Sequence, residues 1–178
     1  MAMKKTFIAF TFSSLFMACA VQATDHSAGV EINGMIAKGY SGCTVTVGSS
    51  YMQIDGDIES LPTQGESATK PTNLAYSVIP TTGEVNYCFG KVALQLRGVV
   101  DTADGTTLAN TLTGEGAAKG VGIALFNPKT NEPYDVNNTQ LEATSDGGAI
   151  GLQMVKLNGQ TPVEGDLKTV LTIDIVRL

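Results

Sequence analysis

The sequence predicts an all-β sandwich, and three observations predict it. No stretch of eleven residues carries a clean helical period. Eight or nine apolar or alternating segments recur at 8–18-residue spacing, separated by Gly, Pro, Asn and Asp. The 20 glycines and the many Thr and Val, with few good helix formers in runs, favour pleated structure over helices.

The elements follow in order. Residues 1–23 are set apart: Lys4 and Lys5 form a basic start, an apolar stretch runs from Thr6 to Val21, and Val21-Gln22-Ala23 is a small-residue cleavage site. That is a secretory signal, too short and without the stop-transfer pattern of a membrane span. Its removal takes away two of the 11 basic residues and none of the 17 acidic ones. The remaining 155 residues therefore carry a net charge of −8. After a polar start, Val30, Ile32, Gly34 and Ile36 share one face at period two. Residues 42–47 form the next strand. Residues 50–54 are a further extended run leading to a turn at Asp55-Gly56-Asp57. Residues 61–72, with Pro62, Gly65 and Pro71, read as a loop. Residues 73–80 and 91–100 are strands, and residues 101–105 a turn. Residues 121–126 are a buried-looking strand ended by Asn127-Pro128. Residues 132–136 and 149–157 are further strands. In the last run, residues 169–178, Leu171, Ile173 and Ile175 alternate with Thr172 and Asp174.

The residues offer little chemistry. No basic cluster exists for nucleic acid, and the charge has the wrong sign. Residues 114–120 superficially resemble a phosphate loop. Their spacing fits neither the dinucleotide fingerprint nor the P-loop, so a flexible loop is expected. Asp55 with Asp57, and Asp101 with Asp104, are too few for a calcium loop and read as turn residues. Asn137-Asn138-Thr139 is a glycosylation sequon of the kind that arises by chance. There is no carboxylate pair, no nucleophile–His–acid set and no metal-ligand spacing, so neither an enzyme nor a cofactor is expected. Beyond the signal, Cys43 and Cys88 remain. In an exported chain they are expected to form one disulfide. The alternative, a catalytic thiol, would have only His26 as a base, three residues past the cleavage site. Two features stand out: a glycine at the centre of the 30–36 alternating face, and a chain that stops on an apolar strand. Both are also compatible with ordinary edge strands of a self-complete sandwich.

Taken together, the chain resembles the chaperone–usher pilins, the subunits of type 1-like fimbriae. The resemblance rests on Val30-Glu-Ile-Asn-Gly34 ahead of Cys43-Thr-Val, on Cys88, on Val92-Ala-Leu-Gln-Leu with Gly98-Val-Val, and on Gly120-Val-Gly-Ile-Ala-Leu-Phe126. It continues through Gly151-Leu-Gln-Met-Val-Lys-Leu157, Pro162, Gly165 and the terminal strand. One departure is that the family usually carries an aromatic residue at the penultimate position. Here the corresponding apolar residue is Ile175, with Val176-Arg177-Leu178 beyond it.

The resemblance implies an incomplete immunoglobulin-like sandwich, the pilin fold, spanning residues 38–178 and lacking its last strand. It implies that residues 24–37 are a donor-strand extension, with Val30, Ile32 and Ile36 filling a neighbour's groove and Gly34 seated where the groove is shallow. It further implies that Leu171, Ile173, Ile175 and Leu178 form the C-terminal strand recognised by a periplasmic chaperone. The partners would be neighbouring pilin subunits in a head-to-tail polymer, the chaperone and an outer-membrane usher, with export through the periplasm to a fimbrium at the cell surface. The implied role is a structural fimbrial subunit supporting adhesion. The alternative is a single-domain adhesin, or a tip or terminating subunit, that binds a host receptor.

Overall fold

The computed structural model of the protein describes residues 42–81 and 88–178. The signal, the 24–37 extension and its Val30, Ile32, Gly34 and Ile36 lie outside the described residues.

Among the described residues there are nine strands: β1 Cys43–Val47, β2 Thr72–Pro80, β3 Val92–Arg97, β4 Leu108–Ala109, β5 Val121–Phe126, β6 Pro133–Tyr134, β7 Gln140–Glu142, β8 Gly148–Lys156 and β9 Thr172–Arg177. No helix occurs among the described residues. The strands form two sheets. The larger runs β1-β2-β8-β5-β4, with β6 also pairing β5; the smaller runs β7-β3-β9. Every strand ladder is antiparallel.

The main core lies between the sheets. Leu74, Ile123, Leu125, Ile150 and Leu152 from the larger sheet meet Leu96 from the smaller, with Leu108 and Val136 closing the cluster. Alternation puts these residues inside. On β2, Leu74 and Val78 are buried while Asn73, Ala75 and Ser77 are exposed. A glycine makes room at one point: a Cβ on Gly148 would stand 2.4 Å from the Tyr76 hydroxyl oxygen, so the ring lies over the backbone there. Burial raises the Tyr76 pKa above the ordinary tyrosine value, and the nearby Tyr134 adds to the effect.

β5 is buried at all six positions, which one core alone does not explain. The 61–72 segment is a loop, as expected, but it packs across the outer face of the larger sheet. Ala68 joins Ala124, Phe126 and Val155 in a second small core there. Gln153 fastens the loop. Its Oε1 accepts the N–H groups of Thr69 (2.9 Å) and Lys70 (3.0 Å), and its Nε2 donates to Thr69 Oγ1 (2.7 Å).

The expected flexible loop at residues 114–120 is corrected. It is tied to the 163–166 segment by Ala118 N–H to Asp166 O (2.9 Å), Asp166 N–H to Gly116 O (2.8 Å) and Lys119 N–H to Val163 O (3.1 Å). Asn110 bridges both segments, its Nδ2 donating to Ala118 O and Asp166 O. The glycines supply turns that these pairings require, with φ of 114° at Gly114 and 64° at Gly120.

The acidic turns serve the backbone. Asp57 Oδ1 accepts the Glu59 N–H. Asp101 is 5% exposed and holds its own loop: Oδ1 accepts from Ala103 and Asp104, and Oδ2 from Thr107 and from Gln64 Nε2. Burial pushes its pKa up, but the N–H groups of Thr107, Ala103, Asp104 and Gly105 outweigh this and leave it below the ordinary carboxylate value. The sequon residue Asn137 is likewise engaged. Its Nδ2 donates to Gly98 O and its Oδ1 accepts from Gly98 N, both at 3.1 Å.

Because the Asp101 pKa is lowered on folding, its contribution is present above the unfolded value and lost as pH falls through the folded value. Asp101→Asn places an amide donor against the Thr107 and Gln64 donors. It should cost about 1–3 kcal/mol at neutral pH. Chemical denaturation of both proteins checks this, and the gap between them should narrow below about pH 4.

Candidate assembly groove

The hydrogen-bond phase of β9 determines which of its groups remain available. Its register with β3 pairs Val92 with Arg177, Leu94 with Ile175 and Leu96 with Ile173. One residue further on, Leu178 N–H donates to Lys91 O at 3.1 Å. In an antiparallel ladder, bonded and non-bonded pairs alternate. Thr172, Asp174 and Val176 therefore bond β3, while Ile173 and Ile175 direct their N–H and C=O groups to the other edge. No strand among the described residues pairs with that edge.

The same parity sends the Ile173 and Ile175 side chains inward, where they stay half-buried, whereas Leu94 and Leu96 opposite them are fully buried. On the outer face Arg97 Nε and Asp174 Oδ2 form an ion pair at 2.8 Å; both side chains are about half exposed, so its contribution is small.

β1 mirrors this arrangement. Gly42 O accepts from Thr81 N (2.7 Å) and Gly48 N donates to Ala75 O (2.8 Å). The register between them places Cys43, Val45 and Val47 in the non-bonded pairs, opposite Pro80, Val78 and Tyr76. Pro80, which has no N–H, sits where none is needed. The main-chain groups of Cys43, Val45 and Val47 thus face the second open edge.

Cys43 and Val45 of β1, with Ile173 and Ile175 of β9, pack on one cluster of Val78, Cys88, Val92, Leu94 and Ala143. Beyond β1, Met52 and Ile54 point inward while Tyr51 and Gln53 are exposed, and they join the main core alongside Leu171 and Ile173. The backbone of residues 52–54 makes no hydrogen bond among the described residues. Two strand edges therefore flank a buried apolar floor, and the half-buried residues are those of the edges themselves, Cys43, Val45, Ile173 and Ile175. Cα atoms of β1 and β9 come within 8 Å of each other, so an extended strand pairing with both edges would have to part them to about 9–10 Å.

Cys43 and Cys88 are joined by a disulfide with a Cα–Cα distance of 6.0 Å. It links β1, at the edge of the larger sheet, to the chain just ahead of β3 in the smaller one, so it holds one groove wall to the floor. Of the C-terminal residues singled out from the sequence, Leu171 lies just ahead of β9 and Ile173 and Ile175 on its inward face. Leu178 has the opposite parity and is 74% exposed. Reasoning from the sequence missed the β1 wall, although the Val45–Val47 alternation with Thr44 and Thr46 carries the signal.

No protein-family profile matches the chain, and no curated protein matches its sequence. Solved structures do match its fold. The crystal structure of the P pilus rod subunit PapA superposes with a TM-score of 0.55 at 13% identity, over 85% of this chain and 100% of that one. The structure of a chaperone–usher pilus, described as revealing the molecular basis of rod uncoiling, gives 0.52 at 17% identity, over 86% and 96%. The chain thus has the chaperone–usher pilin fold, the incomplete immunoglobulin-like sandwich. At these identities the likeness is one of fold.

Two outcomes are expected. In the isolated protein the amides of Ile173 and Ile175 should exchange with solvent deuterium much faster than those of Asp174 and Val176, despite lying on one strand; residue-resolved hydrogen exchange measures this. Replacing both Cys43 and Cys88 by Ser should lower unfolding stability by about 2–5 kcal/mol, as read by denaturant titration.

Proposed function

We propose that this chain is a structural subunit of a bacterial surface pilus, built by donor-strand exchange along the chaperone–usher route, and that it catalyses nothing. The observation that carries this reading is the pair of open edges on β1 and β9, whose half-buried inward residues pack on one apolar floor, in a chain with the pilin fold. On this reading a periplasmic chaperone covers the groove first, and the 24–37 extension of the next subunit replaces it. Polymerisation proceeds through an outer-membrane usher to a fimbrium that supports adhesion.

Energy and connectivity both favour a strand from another copy. Burying Val30, Ile32 and Ile36 in the groove is worth about 4.5–9 kcal/mol, at about 1.5–3 kcal/mol for each side chain. Gly34 suits a shallow point along the groove. The strand completing an immunoglobulin-like sheet beside β9 runs antiparallel to it. The chain's own extension would then end at the far end of the groove. It would have to return along the groove's whole length, nearly fully stretched, in residues 38–42, the five before Cys43. A neighbour's extension has no such constraint. The resulting contact is heterologous and does not close on itself, which produces a filament.

The test uses the secreted chain from residue 24 onward and a form lacking residues 24–37, each prepared with a chaperone. The full form should give detergent-resistant multimers that separate on heating. The shortened form should fold but stop as monomer, and a synthetic 24–37 peptide should protect the Ile173 and Ile175 amides in it. Multimers of normal length from the shortened form, or a peptide that leaves those amides unprotected, would refute the reading.

A further inference from the structure

Among the described asparagines Asn158 alone is followed by glycine; every other is followed by a residue with a side chain. Asn158 and Gly159 form the exposed turn after β8. Gln160 N–H closes that turn onto Leu157 O at 3.2 Å, with Gly159 at a φ of 70°. The Gly159 N–H meets no acceptor among the described residues, and a Cβ on Gly159 would find open space around it. A free main-chain nitrogen thus adjoins the Asn158 side chain with nothing to shield it. That side chain has a structural task. Asn158 Nδ2 donates to Asp104 Oδ2 at 2.6 Å and to Gln64 O at 3.4 Å, and the Asn158 N–H donates to Gln64 Oε1 at 3.2 Å. Gln64 is 4% exposed, and its Nε2 donates to Asp101 Oδ2 and to Thr106 Oγ1, both at 3.0 Å. One exposed residue therefore locks the end of β8 to the 61–72 loop and to the turn between β3 and β4.

We propose that Asn158 is a site of spontaneous deamidation and that its conversion releases this lock. Asparagine is among the chemically labile residues. The Gly159 nitrogen, having lost its proton to hydroxide, attacks Asn158 Cγ. The Cγ–Nδ2 bond breaks, the departing nitrogen takes a proton from water and leaves as ammonia, and a succinimide ring closes. Water then adds to either ring carbonyl and opens the ring to aspartate or to isoaspartate, whose main chain runs through Cβ and Cγ. The sum is one water consumed and one ammonia released, with no oxidation or reduction. The product cannot hold the same contacts. The Nδ2 donor to Asp104 and to Gln64 O is gone, and a carboxylate stands in its place within hydrogen-bond distance of the Asp104 carboxylate. Two like charges that close repel each other, and Asp104 loses its partner. The disturbance reaches Gln64, whose amide ties this turn to the buried Asp101 carboxylate. The reaction needs no partner chain and so is independent of strand exchange.

The test follows each asparagine by peptide mapping and mass spectrometry. The secreted chain from residue 24 onward is aged in its folded, disulfide-bonded form, and a second sample is aged unfolded in urea. In the folded sample Asn158 should convert at a rate within about tenfold of the unfolded one, because the turn leaves it open. Asn110 and Asn137, whose side-chain amides bond the main chain, should stay intact. The Asn158 rate should rise with pH, since the attacking nitrogen must first lose its proton. The consequence is read on Asn158→Asp and on fully aged native protein by denaturant titration. Both should show an unfolding equilibrium constant about tenfold larger than the fresh chain. Asp104→Ala should remove most of the difference made by Asn158→Asp, because the opposing charge is then absent. An Asn158 that survives folded while it is lost in the unfolded chain, or a rate indifferent to pH, would overturn the site. Asn158→Asp and aged protein as stable as the fresh chain would overturn the release of the lock.

Discussion

An unpaired strand edge carries main-chain groups that need partners, and here two such edges flank the same floor. On β9 the groups at Ile173 and Ile175 turn away from β3. On β1 those at Cys43, Val45 and Val47 turn away from β2. The side chains of these residues, Val47 apart, pack on one apolar cluster. The coincidence follows from strand geometry: in an antiparallel ladder, residues sharing a side-chain face also share a hydrogen-bond phase. Wherever the inward residues fall in the non-bonded phase, the sheet edge and the exposed core open together. One added strand can then satisfy both.

A sandwich left open along one seam must be held firmly elsewhere. The disulfide joins the β1 wall to the smaller sheet across a sequence separation of 45 residues, worth about 4 kcal/mol in the chain-entropy account. The 61–72 loop seals the outer face of β5 and β8 through Ala68 and the Gln153 hydrogen bonds. Asp101 rigidifies the turn between β3 and β4 with its buried carboxylate. The disulfide ties one groove wall to the floor, while the 61–72 loop and the Asp101 turn stiffen the body elsewhere. The body can therefore be rigid while its seam stays accessible.

Legibility varied with how local the signal was. β2, β5 and β8 were readable to within about one residue and β9 to within about three, because each has enough alternating or continuous apolar residues to be recognised alone. β4 and β7, with two and three residues, were not foreseen, and no periodicity can emerge from segments so short. The strand expected over residues 91–100 ends at Arg97, after which Gly98 runs close against Val170 and Leu108. The glycine-rich 114–120 segment looked loose because its partners at residues 163–166 are far away in sequence.

The sequence by itself determined that this is a β-structure of alternating strands with one pair of cysteines and no catalytic constellation. These are properties of composition and of period-two spacing, which each strand expresses locally. Only the tertiary structure decided that β1 and β9 face a common floor with their free main-chain groups outward. It also decided that the Asn158 turn meets Gln64 and Asp104, which lie far from it in sequence. Both facts depend on register and strand order, which arise from pairings between distant segments that no single segment encodes.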